Sequence, residues 1–153
     1  MRTHLLILSG CLALATTRVA AQSSPSSAQK SDSFVVVVNS ANPIKEISHA
    51  DLMQIFLKRV SKWSNGAHVA PVDLGRRSPV RAVFTKDVHN RSVASIGTYW
   101  QQQIFSGRDT PPPEKSSDAD VVTFVRETPG GIGYVDPDTP LGKGVKVVPI
   151  HDS

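Results

Sequence analysis

At 153 residues, with 39% hydrophobic and 20% charged side chains, the chain can bury one core of ordinary size and offers little room for two. That balance excludes wholesale disorder. Lysine and arginine number 17 against 13 acids, a net +4 spread along the chain; with aromatics at 6%, this argues against a nucleic-acid surface.

Met1-Arg2-Thr3-His4 is a short basic start, Leu5 to Ala15 is an apolar stretch, and Val19-Ala20-Ala21 places small residues where a signal peptidase reads. Residues 1–21 are therefore expected to be a signal peptide cleaved after Ala21. A competing reading takes Leu8-Ser9-Gly10-Cys11 as a lipoprotein signal. It is disfavoured because the apolar run continues past Cys11, and the ~7–15 residues of an inserted segment are found only in the longer stretch. Cleavage removes Cys11, the only cysteine, and with it any disulfide or thiolate chemistry. Residues 22–33, rich in Ser, Ala and Gln, read as a flexible lead-in to a domain spanning 34–151.

Phe34-Val35-Val36-Val37-Val38 is β-branched without alternation, the pattern of a strand buried on both faces. Ser48-His49-Ala50-Asp51 fits a capping box and predicts a helix with Leu52, Ile55, Phe56 and Val60 on one face. Lys58, Arg59 and Lys62 lie near its end, where the helix dipole favours cations. Ser64-Asn65-Gly66 is a turn signal, and Val69 to Leu74 is expected to form a short strand carrying Pro71. Ser78-Pro79 opens a second helix, serine as cap and proline in the first position, with Val80, Val83, Phe84 and Val88 sharing a face. A third helix is expected from Ser92 to Phe105, with Val93, Ile96, Trp100 and Ile104 inward. Asp109 to Pro113 reads as an extended loop. A fourth helix over 118–127 uses Val121, Val122 and Val125, with Asp118 and Asp120 favouring its start. Pro129-Gly130-Gly131 ends it. Strands follow at Ile132–Val135 and Val145–Ile150. Alternating strands and helices define an α/β fold, a mixed sheet flanked by helices.

The sharpest chemical constellation is Gly75-Arg76-Arg77-Ser78-Pro79-Val80-Arg81. A helix N-terminus offers unpaired N–H groups and partial positive charge, and so attracts oxyanions. Ser78 adds a hydroxyl, and Arg76, Arg77 and Arg81 add guanidinium forks; with Val80 these are the residues expected to hold the ligand. The bland alternative is a capped helix with solvated arginines, and Pro79 removes one N–H that an anion could use. No nucleophile elbow, Walker loop, zinc-protease motif or cysteine–histidine pair is present, and the histidines are scattered; no enzyme, cofactor or metal is expected. Trp63 and Trp100 read as packing anchors.

Three segments together resemble the phosphate-binding proteins of bacterial ABC uptake systems, of the type II periplasmic-binding-protein fold. They are Ile55 to Gly66, ending in Lys62-Trp63-Ser64-Asn65-Gly66; Val69-Ala70-Pro71-Val72 leading to Ser78, Arg81 and Phe84; and Thr128-Pro129-Gly130-Gly131-Ile132-Gly133-Tyr134-Val135. The resemblance runs from about Phe34 to Val135 and covers one of the family's two lobes, so it implies a short, single-lobe member. It also implies a non-catalytic periplasmic solute-binding protein holding inorganic phosphate or a similar oxyanion, with an ABC transporter permease or another envelope protein as partner. The family's anion loop reads Gly-Ser-Gly-Thr-Arg; here Arg77-Ser78-Pro79-Val80-Arg81 keeps the serine and the arginine and lacks the glycines and the threonine. An alternative is a cell-envelope interaction module that kept the lobe fold without the ligand.

Overall fold

The computed structural model describes residues 33–152. The expected signal peptide and nearly all of the lead-in lie outside the described residues. In chain order the first elements are β1 (Val35–Asn39), β2 (Ile47–Ser48), α1 (His49–Phe56), β3 (Ala70–Pro71), β4 (Asp73–Leu74) and α2 (Pro79–His89). They are followed by α3 (Val93–Phe105), β5 (Glu114–Lys115), α4 (Asp118–Glu127), β6 (Gly131–Val135), β7 (Val145–Val148) and β8 (Ile150–His151).

A four-stranded sheet in the order β3-β6-β1-β7 forms the centre. The valine run of β1 pairs antiparallel with both β6 and β7, and β3 lies parallel to β6. Both faces of this sheet are covered, as an unalternating apolar strand requires. Along β6 the faces separate by residue. A Cβ at Gly133 would meet Val121 Cγ1 of α4 at 2.6 Å, so only glycine lets that helix approach so closely. The next residue, Tyr134, points to the other face, where its ring stacks on Phe84 of α2 at 3.7 Å between centroids. Phe56 of α1 and Phe34 complete that aromatic cluster. Trp63 and Trp100 are buried, as expected, and the Trp63 indole donates to the Gly130 carbonyl at 3.1 Å.

Serine starts each of α1 to α4. Ser48, Ser78, Ser92 and Ser117 each accept a backbone N–H of the first turn through the side chain. The far ends were harder to read from sequence. Helix α1 stops at Phe56 because Lys58 turns left-handed, at φ 55°, while Lys58 N–H bonds the Ile55 carbonyl and Arg59 N–H bonds that of Gln54. Val60 therefore lies beyond the helix and is exposed rather than inward. Ile104 is corrected likewise: α3 buries Ile96 and Trp100, and its last turn leads into solvent.

Two expected strands are each split between sheets. The ladder of β3 ends where Val72 N–H reaches the Ile132 carbonyl; the Tyr134 phenol then takes the next places, accepting from Leu74 N–H and donating to the Asp73 carboxylate. The chain turns away and β4 pairs with β5, a strand that the proline-rich loop before it conceals in the sequence. At the other end Pro149 has no N–H to continue β7, and β8 pairs with β2 instead.

Candidate functional site

The loop from β4 into α2 stands at the centre of the expected anion site. Gly75 N–H bonds the Lys115 carbonyl at 2.8 Å, and Ser78 N–H bonds the Gly75 carbonyl at 2.9 Å, so the loop is a closed turn fixed to β5. Gly75, Arg76, Arg77, Ser78, Glu114 and Ser116 line an open cavity of about 490 Å³ at this helix end. The five residues expected to hold an anion divide into two groups.

Arg76, Arg77 and Ser78 face the cavity. Arg76 lies 3.7 Å from Glu114 through Nε, and among the described residues no ion pair engages Arg77. The Ser78 hydroxyl accepts the Arg81 N–H at 3.3 Å, while its carbonyl accepts that of Ala82 at 3.2 Å. With Pro79 lacking an N–H, Val80 holds the first-turn donor that neither serine acceptor takes up, although its side chain is buried in the core.

Arg81 is placed differently. It is only 4% exposed, and its guanidinium points back beneath the loop. Nη2 meets Asp73 at 2.9 Å; Nη1 meets Glu114 at 2.6 Å and the Leu74 carbonyl at 2.5 Å. Asp73 in turn accepts the Tyr134 hydroxyl. Burial pushes the Asp73 carboxyl above the usual carboxylate range, with Arg81 pulling against it, and burial with Asp73 nearby drives the Tyr134 phenol well up. This network bolts β4, β5, β6 and α2 together under the cavity. Asp73, Glu114 and Tyr134 escape sequence reading, since nothing local marks an aspartate in a two-residue strand as the partner of an arginine eight positions on.

Two cations, a carboxylate shared with Arg81, a hydroxyl and a helix N-terminus meet at this open cavity, and a helix end with guanidinium groups beside it can attract an oxyanion. Ser116, the remaining hydroxyl of the rim, is engaged with Asp120 at 2.9 Å.

The fold just described defines its class. The profile of the PBP superfamily domain matches residues 30–148, and the chain belongs to that superfamily. No curated protein matches the chain at a significant level. Among solved structures, an ABC-type phosphate transport receptor from Vibrio cholerae superposes with a TM-score of 0.61 at 19% identity, over 76% of this chain and 45% of that one. A protein from Clostridium perfringens, described as a phosphate ABC transporter substrate-binding protein and solved with phosphate bound, gives 0.60 at 14% identity, over 76% and 44%. A possible phosphate binding protein from Planctomyces limnophilus gives 0.58 at 22% identity, over 78% and 41%. At such identities the likeness is one of fold, and this chain spans less than half the length of each of these proteins.

Proposed function

We propose that this chain is an exported, non-catalytic solute-binding domain that holds phosphate or a similar oxyanion at the N-terminus of α2, for uptake or sensing. The observation that carries the reading is the cavity at that helix end, where Arg76, Arg77 and Ser78 stand together with one side open. Superfamily membership and a fold shared with phosphate-binding proteins support it. Arg81 serves as the support of the loop, and Arg77 is a cation that no ion pair engages among the described residues. An ABC transporter permease or another envelope protein is the partner that this reading implies.

Calorimetric titration of phosphate, sulfate and a chloride control into the purified protein tests it. Phosphate should bind at millimolar concentration or tighter, and the Arg76→Ala/Arg77→Ala double variant should lose most of that binding while Arg108→Ala keeps it. Heats no larger than those of chloride would sink the anion reading. Export carries its own check: intact mass of the protein recovered from the periplasm should begin at Gln22, and lipid labelling of Cys11 would overturn that.

A second reading, an envelope interaction module without a ligand, is favoured by one observation. The arginine most deeply set at the loop is already occupied by Asp73 and Glu114.

A further inference from the structure

Away from the α2 site, two features of the surface fit each other. The last turn of α3 carries Ile104 at 50% and Phe105 at 90% exposure, although the turns before it bury Ile96 and Trp100. A lone exposed leucine or valine is ordinary; an isoleucine and a phenylalanine exposed side by side at a helix end form a knob. The second feature is an open cavity of about 280 Å³, its apolar side including Ile44, Val60 and Trp63 and its rim carrying Glu46, Asp51 and Lys62. An apolar cavity of about 150 Å³ already suffices for a benzene ring.

Knob and hollow are neighbours in the fold. Lys58 Nζ pairs with Asp109 Oδ1 at 2.6 Å and donates to the Thr110 carbonyl at 3.1 Å. Lys58 stands two residues before Val60 of the cavity wall, and Asp109 four residues after Phe105. At 90% exposure, Phe105 does not fill the hollow of its own chain.

We infer that two copies of this chain exchange the α3 tip, each inserting Phe105 into the other's Ile44–Trp63 cavity. The commonest oligomer, a two-fold dimer, needs one self-complementary patch, in which a knob beside its own receptor meets a second copy turned to match. Charge is arranged for the same occupant. Arg108, exposed just past Phe105, comes to the rim where Glu46 and Asp51 stand. The carbonyl end of α3 brings partial negative charge to Lys62 on that rim. An apolar ring in the centre with opposite charges around it is the usual anatomy of a specific interface.

Sedimentation equilibrium of the full chain, from about 1 to about 500 µM so that mass action can populate both states, tests the exchange. Wild type should show a monomer–dimer equilibrium, and Phe105→Ser should raise its dissociation constant at least about tenfold, the loss expected of a central aromatic anchor. Thermal unfolding of dilute Phe105→Ser should match wild type, because the side chain is exposed in the monomer. Arg108→Glu should weaken the dimer, and adding Glu46→Arg should restore it. A wild type that stays monomeric throughout, a Phe105→Ser variant that dimerises unchanged, or a charge swap that fails to restore association would each overturn the inference.

Discussion

Arg81 illustrates how much one buried charge can govern locally. Its guanidinium satisfies two carboxylates and a carbonyl, and those three partners come from two strands in different parts of the chain. Truncation leaves the Asp73 carboxylate inside the fold without the cation that balances it. Removing one member of a buried ion pair costs about 3–5 kcal/mol, so Arg81→Ala should be destabilised by that order in urea unfolding. Ser78→Ala removes only a helix cap and should cost about 1 kcal/mol. Equal losses for the two variants would mean that the network is weaker than its geometry implies. The contrast also selects the reagent for ligand studies. A weakened anion response in Arg81→Ala would mix lost contact with lost folding, whereas Arg76 and Arg77 can be removed from the surface without touching the core. Gly130 is a second residue fixed by its surroundings: a Cβ there would stand 1.7 Å from the His68 carbonyl oxygen, so Gly130→Ala must displace backbone.

At the scale of elements, the sequence was most legible where serine and valine set the structure locally. The serine caps of α1 and α2, the valine run of β1 and the span of α4 need only near neighbours, and each was readable. The breaks between β3 and β4 and between β7 and β8, and the strand β5, were not, because they depend on partners far along the chain and carry no period of their own. The loop before α2 was legible as a helix start, while the carboxylates that occupy Arg81 were hidden by the same long-range pairing. Helix α3 shows both sides. Trp100, at 4% exposure, is its anchor, and Trp100→Ala should cost about 3–5 kcal/mol as a large-to-small change in a packed interior. One turn further the periodicity that placed Ile104 inward met no neighbour. Denaturant curves for Trp100→Ala matching those of wild type would mean that α3 is held by something other than this ring.

For the whole molecule, the decisive fact is that the candidate anion site is open. The chain spans less than half the length of the phosphate-binding proteins that share its fold, and the cavity at α2 is open to solvent. Charges at contact distance are worth about 1 kcal/mol each in bulk water and several times more where water is excluded. Two exposed arginines and a helix end therefore add up to weak, electrostatic binding unless a second surface closes over the ligand. Salt separates these cases. The Debye length falls from ~10 Å at 0.1 M to ~3 Å at 1 M, and exposed pairs are screened accordingly while enclosed ones are not. Phosphate affinity of the isolated chain should thus drop roughly tenfold across that range, the equivalent of losing about 1.4 kcal/mol of exposed attraction. The Arg76→Ala/Arg77→Ala variant should show a much flatter salt response, since the screened charges are gone. Phosphate binding that holds its strength at 1 M salt would instead mean an enclosed site, and would place the ligand somewhere other than the mouth of the α2 cavity.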